Sequence, residues 1–551
     1  MRDSQKVFLL LCFFTALRIA LFDVNACEWG DSYRVLASAK RISELSFPLE
    51  NFQLPFFSAF IAPFLFIFKP LVAGRLVAAL ASFVVLILSY EVSKKIFPER
   101  DFHIWVPVIL ALSPVFFYWS LRITSITIFT ALVLLAFYLF YDWRVDLVPR
   151  LIKEDPPLLN YIFIGLVIGL ACLTRREGIL LLPGFLFYFL RQKRWVETIL
   201  FIFAWAVVVL PLFFGGSFVF ANFSPNTFLA DLFSYQVVTW NWVWFFSLSY
   251  LFLFIFPPFF VFVFKGVFSF LETTRDMLVH FPLFAFILLL EILVLLLWTF
   301  SVPLVLIPLM PLILPFFLEG VEKIFAKQDG VVFRTCILVP WFFVSLGLFV
   351  LYIVGQYYVR SYFLVLSRGG LVLALAFSAL ALIALFIQNA EKGRKLFFAS
   401  LVAALSVSSF VVIGNQRKVY ATVASLAKKA QSLEGRVAYS DETGVSWWYL
   451  DIQSDKGVYY EQDMNYEEDE QWQWLKENNI HYLLWTTEFN RGSVLDIVNA
   501  DNYKDRFELK FQREQEIADA IDTFLIRQGV LPEREYPELE SRIYEVKSDL
   551  R

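Results

Sequence analysis

Histidine is nearly missing from this chain: three in 551 residues, His103, His280 and His481, far apart in sequence. A His-rich metal centre is therefore disfavoured. Cysteine is scarce too, and none of the four follows Cys336, so the C-terminal stretch has no disulfide framework. Glycine occurs only 22 times. No glycine-rich loop ends in Gly-Lys-Ser/Thr, and no glycine fingerprint follows a strand, which disfavours a nucleotide-driven pump and a nicotinamide enzyme. The formal net charge of −3 leaves no basic excess for nucleic acid.

What is abundant is apolar surface. Hydrophobic residues make up 59% of the chain, and phenylalanine alone occurs 65 times. A soluble domain carries about 45–50%, so the excess needs lipid to cover it. Charge is unevenly spread. Residues 415–551 hold 27 acids and 17 bases, a balance of −10, and residues 1–414 hold 23 acids and 30 bases, or +7. The chain thus reads as a membrane domain, 1–414, followed by a soluble domain, 415–551.

Thirteen spans are expected at about 7–22, 74–92, 104–120, 124–141, 160–173, 178–190, 196–214, 242–264, 281–298, 302–318, 335–354, 371–388 and 398–414. The first follows a short basic start and is read as a retained helix, not a cleaved signal. Lys and Arg cluster in alternate loops, including Lys94/Lys95/Arg100, Arg191/Lys193/Arg194, Lys265/Arg275 and Lys392/Arg394/Lys395. Those loops are assigned to the cytoplasm with the N-terminus. Residues 23–73 and the C-terminal domain then lie outside, in the periplasm or at the cell surface of a multi-pass plasma (inner) membrane protein. By this parity Leu54–Phe68 cannot cross, and is expected as an interfacial or re-entrant helix.

The C-terminal domain reads as a small α/β fold. Arg436–Ser440, Val445–Tyr449, Val458–Tyr460 and Tyr482–Trp485 are strand-like. Asn465 is placed to cap a helix over 466–478, with Trp472 and Leu475 on one face. Glu514–Ala520 and Glu538–Tyr544 read as further helices. No catalytic motif stands out, and a packing or lid role fits.

Polar residues on the external side mark a site. Glu28 and Asp31 open the first loop and, if helical, share a face. A carboxylate at a dry interface suits proton abstraction. Arg75, Arg122, Arg175, Arg176, Arg360 and Arg368 stand at external helix ends, where positive charge is disfavoured. Guanidinium groups hold phosphate bidentately, although arginines there also snorkel to lipid headgroups. Trp29, Tyr33, Tyr357 and Tyr358 are candidates to stack on a sugar or line a prenyl groove; as interface aromatics they have a structural explanation too. A carboxylate beside a phosphate pocket, on a side of the membrane without nucleotide sugars, points to glycosyl transfer from a polyprenyl-phosphate sugar.

Four segments resemble the GT-C fold glycosyltransferases, in the branch of protein O-mannosyltransferases and the lipid A aminoarabinose transferase. They are Gly30-Asp31-Ser32-Tyr33; Leu54-Pro55 through Ala73-Gly74-Arg75; Ser113-Pro114 through Ser120-Leu121-Arg122; and Gly165 through Leu173-Thr174-Arg175-Arg176-Glu177-Gly178. The resemblance covers about residues 1–195. It implies a polytopic α-helical GT-C-like membrane protein, about 13 helices with an external α/β domain. It also implies that Asp31 is the catalytic or acceptor-site acid and that arginines such as Arg122 hold lipid phosphate. Family members place a second acid just after the Ser-Arg element, where this chain has Ile126. Glu28 or Glu177 is the candidate substitute. The expected partners are a polyprenyl-phosphate sugar donor, an external glycan, lipid or protein acceptor, and membrane lipid, without nucleic acid and with no obligatory metal. Two rivals stand beside this reading: a catalytically degenerate relative that only binds lipid-linked sugar, and a transporter or flippase, for which Glu291 at mid-span is the clearest mark.

Overall fold

The computed structural model describes residues 3–28, 30–46, 54–145, 158–214, 259–274, 277–297, 307–326, 389–416, 420–440, 444–460, 468–486, 496–516 and 538–547, with a few isolated positions. The chain divides into two compact units, Met1–Leu21 with Asn51–Val412, and Phe22–Glu50 with Ile413–Arg551. The division at 412 lies beside the expected boundary at 414. The start of the first external loop, however, groups with the C-terminal domain instead of the helices.

The first unit is helical. Its opening helix, α1 (Asp3–Ala20), packs Phe14 edge-on against Phe83. The next helix in the chain, α2 (Gly30–Ser43), belongs to the second unit. Leu54–Phe68 forms α3 (Pro55–Ile61) and one 3-10 turn, Ala62–Phe66, a pair too short to cross a bilayer. Phe57 and Ile61 are buried while Phe66 and Ile67 are exposed, as a helix lying on a bundle requires. Helix α4 (Pro70–Ile96) has 27 residues, about 40 Å at 1.5 Å per residue, more than the ~30 Å hydrocarbon core. Lys94 and Lys95 end it, where cations suit the carbonyl end of the helix.

The 104–120 span is broken. Helices α5 (Trp105–Leu112) and α6 (Pro114–Ser120) meet at 63°. Pro114 forces Ser113 into an extended conformation, φ −62° and ψ 126°. Ser409 donates to the Leu112 carbonyl at 2.6 Å, so the break leaves that carbonyl satisfied. Then come α7 (Ile126–Val145), α8 (Leu158–Thr174), α9 (Leu181–Arg191), α10 (Trp195–Phe214), α11 (Phe259–Thr273), α12 (Phe281–Leu297), α13 (Met310–Ala326) and α14 (Ala390–Gln416). Helix α11 runs through Lys265, which was expected in a loop, because Phe268, Phe270 and Leu271 prolong its apolar pattern. Most of the 242–264 and 371–388 spans, and all of 335–354, lie outside the described residues.

Among the described residues, α4 and the Ala390–Phe410 part of α14 are each long and apolar enough to cross a membrane, and α5 with α6 would make a third, bent span. On α10, Trp195, Ile199, Phe203 and Val207 form an exposed stripe at four-residue spacing, a face that suits lipid. Helices α11 and α13 touch through glycine. A Cβ on Gly266 would lie 1.7 Å from the Phe316 carbonyl oxygen, and one on Gly320 1.9 Å from that of Phe262. Buried Glu319 on α13 ties three elements together, accepting from Arg100 at 2.7 Å and from Ser269 of α11 at 2.9 Å.

The second unit holds a five-stranded mixed sheet in the order β2-β1-β3-β5-β4. The strands are β1 (Arg436–Tyr439), β2 (Gly457–Tyr459), β3 (Ile480–Thr486), β4 (Phe507–Glu516) and β5 (Glu538–Val546). β1 is parallel to β2 and β3, while β5 runs antiparallel to β3 and β4, with Leu483 opposite Tyr544. Helix α15 (Ala421–Ala430) packs on the sheet, Thr422 sharing a hydrogen bond with Ser541 at 2.8 Å. Helix α16 (Glu468–Glu477) buries Trp472 and Leu475 in a core with Leu483, Phe507 and Tyr544. Its expected cap, Asn465, lies outside the described residues.

Three readings of this domain are corrected. Val445–Tyr449 is not a strand: residues 447–452 form a π-helical turn. Glu538–Tyr544 is strand β5, not helix, and Glu514–Glu516 ends β4. In β5 the period-two alternation lets Ser541 and Ile543 share one sheet face, and pairing on both sides outweighs the weak helical propensity of its charged residues.

Candidate active site

In the second unit, α2 carries the acid. Its buried face is Ser32, Tyr33 and Val35–Ala39, whereas Asp31, in the first turn, is exposed beside exposed Arg34. A carboxylate is favoured there by the positive end of the helix. Glu28 lies ahead of the helix and is fully buried, so it and Asp31 do not share the exposed face expected for them. The Tyr33 hydroxyl accepts the Glu28 backbone N–H at 3.2 Å. Its ring lies 5.7 Å from Trp448 and 6.2 Å from Tyr449. Burial first, then the nearby Cys27 and Tyr449, push the Tyr33 phenol well above its ordinary value. Tyr33 is 0% exposed, which leaves no ring face for the sugar stacking anticipated from sequence.

In the first unit, the arginines gather around residues 120–126. Helix α6 ends at Ser120, where Leu121 and Arg122 turn back with their N–H groups on the Tyr118 and Trp119 carbonyls. Arg122 is 1% exposed, its guanidinium 5.1 Å from the centre of the Tyr118 ring. Thr124 caps the next helix, accepting the Ile126 N–H at 3.0 Å. Ile126, at the family's second-acid position, is buried in the helical core.

Helix α4 approaches this turn without a side chain in the way: a Cβ on Gly74 would lie 2.7 Å from Ile123 Cδ1. The next residue, Arg75, is buried. From the other side, Arg175 reaches Ser125 Oγ at 3.5 Å. Arg175 also grips Glu177 with two donors, Nη2 at 2.8 Å and Nε at 3.2 Å. Burial opposes ionisation of Glu177, but the charge and hydrogen bonds of Arg175, with Arg176 nearby, outweigh it and hold the carboxyl below its ordinary value. Such a carboxylate is a good counter-ion and a poor base. Gly178 permits the turn, since a Cβ there would lie 2.6 Å from the Ala171 carbonyl carbon.

Sequence reading missed Arg18. It sits in the last turn of α1 and is 3% exposed. It donates to Ser120 Oγ and, at 3.4 Å, to the Phe117 carbonyl, and its guanidinium lies over the Phe14 and Phe117 rings. A lone arginine inside an apolar run was the available signal, because charge at that depth needs a reason. Arg18, Arg122 and Arg175 thus meet at one turn, Arg18 on Ser120 and Arg175 on Ser125, and buried Arg75 follows the glycine that touches it. Trp29, Tyr357, Tyr358, Arg360 and Arg368 lie outside the described residues. Among the described residues, no three His, Cys, Asp or Glu side chains are grouped to hold a metal ion.

Residues 53–215 match the family model described as dolichyl-phosphate-mannose-protein mannosyltransferase. No curated protein matches by sequence. Among solved structures, ArnT from Cupriavidus metallidurans bound to undecaprenyl phosphate is 14% identical, with 97% of this chain and 98% of that chain covered and a TM-score of 0.58. Its apo form is also 14% identical, with 97% of each chain covered and a TM-score of 0.55. Over nearly its whole length, then, this chain has the fold of ArnT, the GT-C membrane fold that its four sequence segments resemble.

Proposed function

We propose that this protein is a membrane glycosyltransferase that moves a sugar from a polyprenyl-phosphate donor to an external acceptor: a glycan, a lipid or a protein. The observation that carries the proposal is the gathering of Arg18, Arg122 and Arg175 at one turn of the helical unit, with buried Arg75 next to the Gly74 that meets that turn. Guanidinium groups held out of water suit a phosphate that gains charge as its bond to the sugar breaks. Asp31, exposed on α2, takes the proton of the acceptor hydroxyl. The acceptor oxygen bonds to the anomeric carbon, the bond from that carbon to the phosphate oxygen breaks, and polyprenyl phosphate leaves. Glu177 holds Arg175 in place. Thirteen spans, with the N-terminus cytoplasmic and the C-terminal domain outside, remain the topology of this reading. The similarity to ArnT and the match to the mannosyltransferase model support it.

The reading assigns no obligatory metal, because Ile126 replaces the second acid and Glu28 is buried. Loss of turnover with a chelator would overturn that part. The test of the whole is transfer by detergent-purified protein from radiolabelled polyprenyl-phosphate mannose, glucose, galactose and aminoarabinose, with membrane extract as acceptor. Turnover lost in Asp31→Asn supports the transferase and its base. Turnover equal in both proteins removes Asp31 from the mechanism.

A further inference from the structure

The acid-bearing helix is built into the C-terminal domain. Residues 22–50 fold as one unit with residues 413–551. Within that unit α2 packs on the turn that follows Gly444. Gly444 has φ +69°, and a Cβ there would lie 3.1 Å from the Cα of Gly30, the residue before Asp31. Glycine suits both the left-handed backbone and the close approach, which a Cβ would crowd. Tyr33, two residues after the acid, packs on Trp448, which is 1% exposed.

This turn is not arranged for its own stability. Residues 447–452 are π-helical, a rare geometry that recurs at functional sites. The Ser446 hydroxyl and the Trp448 indole N–H are buried without a hydrogen-bond partner, which is destabilising. Yet the turn is firmly held from below. Tyr439 of β1 donates to Asp451 at 2.8 Å, and Gln431, just beyond α15, donates to the Tyr449 carbonyl at 2.6 Å. A chain of contacts thus runs from the sheet through Asp451 and Trp448 to Tyr33 and the start of α2. A π-turn and two unpaired buried donors coincide where α2 docks, which is how strain retained for function is distributed.

We propose that the Gly444–Asp451 turn is the seat of the catalytic acid, with Gly444 and Trp448 as positioning residues that fix Asp31 through Gly30 and Tyr33. The proposal rests on the reading of Asp31 as the base, and gives the C-terminal domain a part in turnover beyond packing or covering.

The test compares Trp448→Leu, Trp448→Phe and Gly444→Ala in the full-length, detergent-purified protein. Hydrogen exchange at the amides of residues 31–41 is followed beside kcat and KM with the donor that turns over. Gly444→Ala and Trp448→Leu are expected to speed exchange in α2 about tenfold or more and to lower kcat about tenfold, with donor KM within about twofold, since a tenfold effect corresponds to ~1.4 kcal/mol. Trp448→Phe, which keeps a ring against Tyr33, restores most of both. If Trp448→Leu does not fold, Gly444→Ala decides alone. Unchanged exchange in α2, or exchange speeded to the same degree across the whole sheet, overturns the seat. Full activity in Asp31→Asn, with α2 exchange still responding to Gly444→Ala, overturns the base assignment and leaves the docking of α2 intact.

Discussion

Removing the carboxylate of Glu177 should do more harm than removing the whole ion pair. Arg175 and Glu177 are joined by two hydrogen bonds, and their side chains are 16% and 7% exposed. Breaking a buried pair by deleting one partner costs about 3–5 kcal/mol, because the remaining charge is left uncompensated. The residual exposure of Arg175 places Glu177→Leu near the lower figure, about 3 kcal/mol. At roughly 2 °C per kcal/mol that is a fall in Tm of about 6 °C. Arg175→Met combined with Glu177→Leu removes both charges and should recover about 2 kcal/mol of the loss, a coupling typical of residues in direct contact. Tryptophan fluorescence melts of the four detergent-purified proteins complete the cycle. The sign with pH follows from the depressed Glu177 carboxyl. Its contribution is present above the unfolded value, near pH 4.5, and is lost as pH falls through the folded one. The gap between wild type and Glu177→Leu should therefore be full at pH 7 and shrink below pH 4.5. Additive losses in the double variant would refute the pairing as the reason Glu177 is there.

Arg122→Lys keeps the charge but loses the planar fork, and should raise donor KM about tenfold with a smaller effect on kcat, measured by initial rates. Arg18→Met should weaken undecaprenyl-phosphate binding, titrated by fluorescence, about tenfold, in line with the ~1.5 kcal/mol of a charged hydrogen bond. Gly320→Ala drives a methyl group into the Phe262 carbonyl and should destabilise by about 1–3 kcal/mol in the same melts. Glu291→Gln should leave sugar transfer unchanged, whereas loss of transport in vesicles carrying this variant would support the transporter reading.

Much of the helical unit was legible because its signal is length and hydropathy, which tertiary contacts seldom override. Charge parity led to the expectation that Leu54–Phe68 does not cross, and the structure gives it a short helix and one 3-10 turn. The arginine turn was legible residue by residue, since Arg75, Arg122 and Arg175 each stand at a helix end. Their convergence was not, because it depends on Gly74 meeting Ile123 and on Arg175 reaching Ser125, contacts with no local trace. Glu177 looked like a spare acid because sequence does not show that Arg175 already binds it. The C-terminal domain was harder. Val445–Tyr449 is a short apolar run, which periodicity cannot assign, and β5 is so charged that its alternation was overlooked. The role of Tyr33 changed for the same reason: an aromatic beside an acid suggests a sugar platform until Trp448 and Tyr449 are seen to cover it.

The contact of Gly266 and Gly320 constrains the path of a lipid tail. With their backbones touching, α11 and α13 leave no slot between them wide enough for an isoprenoid chain. Aromatic rings seal the same seam, Phe262 lying 5.6 Å from Phe317 and Phe270 5.3 Å from Phe316. A tail whose phosphate reached the arginine turn would have to run along another helix pair or the bilayer-facing side. The spacing of these two helices then sets no limit on the length of that tail, and the seam between them takes no part in telling donors of different prenyl length apart.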